Sequence, residues 1–305
     1  VVHVFIINPA YSDKEFADDL RDKLSRIPDL TYYVFTTGTA GDETQLASTI
    51  EDIFEGEQLR IYCCGSISSA SKVLNGISDI SKIELAIIPV QNVNYLAAFE
   101  NQKAFADVEA MVNGNVTRVD YIRTNHGLAL NNVSFGMDSY TYRCYENLAE
   151  MLIFGRYFPM ILANLYAIFA TPNYIYNIEY DGHTYTRRAM EISFYNVPVT
   201  ARNVSFSDEW HATDGKVTYI QVSRYGALGR IIYAYQTMKH KVRFTEDDPK
   251  NTMRDLESAK VRHINGAPIW GALDGKLVLA TDWSIEVVKQ GLKFVVPAEA
   301  SDERE

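Results

Sequence analysis

The stretch Ile61–Gly76, IYCCGSISSASKVLNG, decides the fold. Ile61 to Cys64 form an apolar run without alternation, as in a strand covered on both faces. Gly65 and a cluster of serines break the run, and an apolar helical pattern follows. Ser68 and Ser69 suit the first turn of that helix, where a hydroxyl can cap a backbone N–H. In open α/β sheets ligands sit at the carboxyl ends of the strands. This turn therefore stands where an α/β enzyme would hold a phosphate.

The same alternation extends outward through the first third of the chain. VVHVFII, TYYVFTT, LRIYCC and ELAIIP read as strands. Between them, Phe16, Leu20, Leu24 and Ile27 form one helical stripe, and Leu46, Ile50, Ile53 and Phe54 another. Asp42 followed by Gln45 reads as a capping box for the second helix. VNYLAAF and AFADVEAMV look helical, and TRVDYIRT alternates as a strand. Beyond residue 126 short, turn-punctuated strands dominate, with Asp-Gly turn signals at 181–182, 214–215 and 274–275. Residues 224–242 interrupt them as a helix. The pattern predicts a doubly wound α/β domain over 1–125, a β-rich sandwich or barrel domain over 126–297, and a charged tail over 298–305.

The chain has 305 residues, 47% hydrophobic and 22% charged, enough for a sizeable core. Its formal charge of −10 disfavours nucleic acid as a partner. Cys63, Cys64 and Cys144 are too few for a disulfide framework and fit a reducing, cytoplasmic setting. No signal peptide is read at the N-terminus. Tyr157–Ile178 carries no charge, but Pro159, Asn164 and Thr171-Pro172-Asn173 divide it into a helix of roughly 12 residues and a strand. No transmembrane segment is expected. A peripheral membrane contact and a homo-oligomer stay open.

The loops after the first four strands, taken in order, resemble the diacylglycerol kinase catalytic-domain family, which includes bacterial soluble lipid kinases and sphingosine kinases. Asn8-Pro9-Ala10-Tyr11-Ser12 resembles the family's NPxSG. Thr36-Thr37 and Gly41-Asp42-Glu43-Thr44 resemble its Thr-rich turn and GDA-type helix start. Gly65 to Gly76 stands where the family has GGDGTxNEVxNG, and Pro89 to Ala97 where it has PxGTxNDFA. Residues 131–142 resemble NxxxxGxDA, 154–169 resemble GxxxYxxxxxxxL, Asp214-Gly215 the DGxLD turn, and Asp274-Gly275-Lys276 the DGE segment. The resemblance runs along nearly the whole chain. It implies an NAD kinase/diacylglycerol kinase-like first domain, ATP and Mg2+ as cofactors, and a nucleotide or lipid as ligand. It also implies phosphate or nucleotide contacts from Asn8, Pro9, Ser12, Thr36, Gly65, Ser66, Ser68, Ser69, Asn92 and Asn94.

The departures fall on the chemistry. Phosphoryl transfer needs a cradle for phosphates, a metal ion and a base near the acceptor hydroxyl. Of the cradle's glycines only Gly65 remains, and Ser66 and Ser68 replace the others. Ile67 replaces the acid of GGDGT. Lys276 replaces the acid of DGE, and a protonated lysine cannot take a proton from a hydroxyl. Asp274, two residues earlier, would lie on the same face if the segment were extended, and is the weak candidate for a substitute base. Asp138 and Asp214 fall on acidic positions of the family pattern and read best as a helix cap and a turn residue. The expectation is a divergent lipid-kinase-like protein with impaired catalysis, a pseudokinase that keeps a nucleotide, phosphate or lipid site. The alternatives are an active ATP-dependent lipid kinase with relocated acids and a non-catalytic interaction partner.

Overall fold

The computed structural model describes the chain except residues 10, 11, 13, 39–41, 91, 92, 149–157, 200–211, 240, 241, 243, 247 and 299–305. It divides into two units: Val1–Tyr121 with Lys289–Glu305, and Ile122–Val288.

In the first unit β1 (Val2–Ile7), α1 (Lys14–Ser25), β2 (Tyr32–Thr36), α2 (Glu43–Ile53), β3 (Leu59–Gly65), α3 (Ile67–Leu74) and β4 (Ile83–Pro89) alternate in sequence. β1 pairs in parallel with β2 on one edge and β3 on the other, and β3 pairs in parallel with β4. The order β2-β1-β3-β4 reverses direction between β1 and β3. That reversal is the topological switch point, and the crevice outside the carboxyl ends of those two strands is where such sheets bind ligands. β3 and β4 are buried almost throughout, which explains the apolar runs at 61–64 and 85–88.

Three local details differ from the sequence reading. Asp42 precedes α2 in a helical conformation and makes no side-chain capping bond, so the capping box does not form. α3 begins at Ile67 rather than Ser69: Ser66 is its N-cap, extended at φ −115°, and its hydroxyl accepts from the Ser69 N–H. The segments read as helical at 93–112 are mainly 3₁₀ turns (Asn94–Ala98, Gln102–Ala106) and the single-turn α4 (Val108–Val112).

Gly76 ends the α3 turn because nothing larger fits. A Cβ there would lie 2.1 Å from the Thr44 carbonyl oxygen of α2. Gly76→Ala is expected to cost about 2 kcal/mol through the forced backbone shift, read as a lowered thermal midpoint.

The second unit is built mainly of strands. After β5 (Asn115–Thr124) come β6 (Gly127–Ala129), β7 (Asn132–Gly136), α5 (Met137–Leu148), α6 (Phe158–Ala170), β8 (Tyr174–Tyr180) and β9 (His183–Tyr195). β10 (Val217–Ser223), α7 (Ala227–Met238), β11 (Asn251–Leu256), β12 (Ser258–His263), β13 (Ile269–Leu273), β14 (Lys276–Ala280) and β15 (Asp282–Val296) follow. The strand pairing here is antiparallel, in the path β14-β13-β7-β9-β8-β12-β15, with β10 also paired to β9 and β11 to β10. Two Asp-Gly pairs turn hairpins, at 181–182 between β8 and β9 and at 274–275 between β13 and β14; all four residues have positive φ. Phe135, Tyr176, Phe194, Tyr219 and Trp283 anchor the main core. Within β15, residues 282–286 pair antiparallel with β12, and 293–294 pair in parallel with β4.

Candidate functional site

The switch-point crevice is formed by the segments that follow β1 and β3. Asn8, directly after β1, is buried, and its carbonyl accepts from both the N–H and the hydroxyl of Ser12. Pro9 is exposed in the turn. Thr36 is the exposed last residue of β2. Thr37, which follows, is buried, and its hydroxyl has no partner among the described residues. Gly65 is the last residue of β3, in register with Pro89, and its carbonyl accepts from Val90 N–H. Asn94 opens the first 3₁₀ turn after β4. Asn92 lies outside the described residues.

The β3–α3 junction is short. Strand passes into helix through Ser66 alone, and no residue from Leu59 to Gly76 has positive φ. A phosphate cradle needs several N–H groups turned inward, typically with left-handed residues between them. Only the ordinary N-terminal amides of α3 remain. Ile67, half-buried at the first helical position, brings hydrocarbon beside them.

The crevice residues converge instead on a carboxylate that the sequence did not single out. Glu43, at the start of α2, is fully buried. Its Oε1 accepts from Asn8 Nδ2 at 2.5 Å and from Ser69 Oγ at 2.9 Å. Its Oε2 lies 3.7 Å from Lys72 Nζ, and Thr44 Oγ1 donates to the Lys72 carbonyl. Two side chains expected to face a ligand, Asn8 and Ser69, therefore direct hydrogen bonds into the protein. Glu43 and Lys72 lie in segments that the sequence singled out, but nothing there marks their contact, because the order of β1, β2 and β3 brings those segments together.

In the second unit Asp274 is held at the β13–β14 turn. Its φ of 45° puts it in the turn itself, so the extended geometry that would place it on the face of Lys276 does not occur. Its carboxylate accepts from the backbone N–H groups of Leu130 (2.5 Å), Asn131 (3.2 Å) and Asn132 (2.7 Å). A buried carboxylate with these contacts is a fastener between two segments. Lys276 opens β14. Asp214 accepts from Lys216 N–H within its turn.

A second pair of acids lies between β7, β9 and α5. Asp138, in the first turn of α5, accepts from Ser134 Oγ at 2.8 Å and Asn132 Nδ2 at 3.3 Å. Glu191, on β9 opposite Gly136, accepts from Ser193 Oγ at 3.1 Å. Burial raises both carboxyls above their ordinary values. Glu191 is pushed up to about 8, first by burial and then by the charge of Asp138. Each residue nonetheless keeps part of its surface accessible. One of the two is protonated at neutral pH and can donate a hydrogen bond, an arrangement also used for acid–base work. Gly136 makes the contact: its φ is +89°, and a Cβ would meet the Met190 carbonyl at 2.2 Å. Asp138 was legible as an acid of the pattern. Glu191 was not, although an acid on a strand between Met190 and Ile192 breaks the apolar run and is the signal to look for.

Among the described residues no group of three or more His, Cys, Asp or Glu side chains could hold a metal ion. None of the described helices is long and apolar enough to cross a membrane. Cys63 and Cys64 are buried and unpaired, and burial pushes both thiols well above their ordinary value.

An α/β unit wound about a switch point is followed in the chain by a β-rich unit with a buried Asp-Gly hairpin. The comparison structures give this architecture a closer description. The chain is similar to a diacylglycerol kinase from Bacillus anthracis (16% identity, TM-score 0.64) and to a candidate diacylglycerol kinase of the same organism (19%, 0.67). The match covers 96% of this chain and 96% of each of those chains. It also resembles an NAD kinase from Archaeoglobus fulgidus in complex with ATP (10%, 0.50), over 96% of this chain and 92% of that one. No family model and no curated protein matches the sequence. The chain has the diacylglycerol kinase fold, with a sequence that has diverged far from these neighbours.

Proposed function

We propose that this chain is a catalytically impaired protein of the lipid-kinase fold, one that does not transfer phosphate from ATP. The observation that carries the reading is the buried Glu43 in the switch-point crevice, with Asn8 and Ser69 hydrogen-bonded to it. Donors satisfied by an internal carboxylate contribute little to a nucleotide, because a ligand would have to displace contacts already made. The rest of the chemistry agrees. Ile67 offers neither a metal ligand nor a hydrogen bond, and Lys276 stands at the position where the resemblance expects a base. Among the described residues Mg2+ finds no fitting site: both Glu43 oxygens face protein donors, and no acidic cluster stands beside them. Unpaired, buried cysteines are in keeping with a reducing compartment such as the cytoplasm.

One observation favours a second reading, an active lipid kinase with relocated acids. Glu191, with its pKa near 8 beside Asp138, has the character of a proton-transfer group.

Nucleotide binding is the first test. A ligand held by the native state stabilises it by ~2.7 kcal/mol at 100 times its Kd. The expected result is no change in the melting midpoint with millimolar Mg-ATP. A saturable rise at micromolar Mg-ATP would overturn the reading of the crevice.

A further inference from the structure

Strands β8 to β11 of the second unit enclose a cavity of about 460 Å3. Strand alternation sets Tyr219, Gln221 and Ser223 of β10 beside Thr252 and Arg254 of β11 along one wall. Tyr180 and Tyr185, from the two sides of the β8–β9 hairpin, stack with ring centres 4.5 Å apart and form another. The volume is that of a small-molecule site.

The donors on these walls have little to bind. Arg254 is in register with Tyr219, and its guanidinium carbon lies 5.9 Å from the Tyr180 ring centre. Its Nε is buried and has no hydrogen-bond partner among the described residues. The Arg187 guanidinium carbon lies 5.3 Å from the Tyr185 ring centre, and its Nη1 reaches the Thr186 carbonyl at 3.5 Å, the outer limit of a hydrogen bond. Among the described residues neither arginine forms an ion pair. Gln221 is buried, and the Tyr219 hydroxyl donates to its Oε1 at 2.9 Å. That leaves the amide nitrogen with Ser223 Oγ at 3.5 Å. Burial and then Tyr180 raise the Tyr219 hydroxyl above its ordinary value, and the charges of Arg187 and Arg254 both oppose the rise. The two cations therefore act at one place.

A buried donor without an acceptor is costly, most of all on a charged group. An oxyanion supplies what is missing, because its two oxygens match the guanidinium fork. The opposing charges are Glu246 and Asp248, on the loop at the rim. Glu246 is exposed, and the Asp248 carboxylate accepts from the Lys250 N–H at 2.8 Å. With Arg188, three guanidiniums line the cavity against two carboxylates, so the balance favours an anion.

We propose that this cavity binds a small molecule carrying a carboxylate or phosphate group, held by Arg254 and Arg187 with the Gln221 amide as a neutral donor. The site lies wholly within the second unit and goes beyond the reading of the crevice.

The test is calorimetric titration of the full chain with inorganic phosphate and with citrate, against sodium chloride at matched ionic strength. At least one of the two should bind saturably, with a Kd below about 1 mM, and chloride should not. Which one binds separates a phosphate site from a carboxylate site. Arg254→Gln should weaken binding by at least about 10-fold, the loss of a charge-assisted hydrogen bond. Arg254→Lys, which keeps the charge without the fork, should fall between. Arg187→Gln should also weaken it, with an unchanged melting curve because this side chain is exposed. Glu246→Gln should strengthen it by removing a like charge. The proposal is overturned if neither anion binds, or if binding persists undiminished in both Arg254→Gln and Arg187→Gln. A lowered melting midpoint in Arg254→Gln without anion binding by the wild-type chain would make Arg254 a structural cation and overturn it as well.

Discussion

Asp274→Ala should destabilise the second unit by about 3–5 kcal/mol, because two buried N–H groups and a third, part-buried one would lose their acceptor. The side chain is almost wholly buried, and water cannot simply replace it. Each unsatisfied donor costs about 1–3 kcal/mol. That sum is a large part of the ~5–15 kcal/mol that holds a typical protein folded. The local backbone adds to the loss, since Asp274 also takes the left-handed conformation that the hairpin requires and alanine tolerates it less well. Asp274→Asn keeps one oxygen acceptor and the turn preference, so its cost should fall between wild type and alanine. Urea denaturation of the three proteins, followed by tryptophan fluorescence, gives the ordering. A neutral Asp274→Ala would remove the fastener from the account and return Asp274 to consideration as a chemical group.

Glu191→Gln should do the opposite, and only at alkaline pH. Glu191 has a folded-state pKa near 8, against about 4.5 in the unfolded chain. Between those values the folded state holds more protons than the unfolded state. The free energy of unfolding therefore falls as pH rises through this window. Glutamine resembles the protonated acid and does not titrate. Near pH 5 the two proteins should melt almost alike. By pH 9 the variant should be more stable by on the order of 4 kcal/mol, the scale set by about three units of pH at 1.36 kcal/mol each. Thermal melts from pH 5 to 9 measure it. Parallel curves for the two proteins would mean that Glu191 is not held above its ordinary range. Asp138→Asn should shift the same window downward, because its charge is one of the two causes that raise Glu191.

Much of the architecture could be read in the sequence, because it rests on local chemistry. Uninterrupted apolar runs such as Ile61–Cys64 imply burial on both faces, and the parallel sheet follows. The Asp-Gly pairs at 181 and 274 announce hairpins because both residues adopt positive φ. The order of motifs, degenerate as each one is, pointed to the diacylglycerol kinase fold that the comparison structures share. What could not be read was each case where distant segments compete for one group. Ser66 caps α3 ahead of Ser68 and Ser69 because its extended backbone lets its hydroxyl face the helix. Asp274 is engaged by residues 130–132, more than 140 positions away. Glu43 draws in Asn8 from one loop and Ser69 from another. A sequence motif marks which residues could face a ligand. It does not reveal that a buried acid already occupies them.

The central claim is that the fold has outlived its phosphoryl-transfer chemistry. The most direct test is incubation of the full chain with labelled ATP, Mg2+ and vesicles containing mixed diacylglycerols, followed by separation of phosphatidic acid. The account predicts no product above a control without protein. Turnover on the order of 1–100 s⁻¹, as in working kinases, and its loss in Glu191→Gln, would contradict it and establish the second reading in its place.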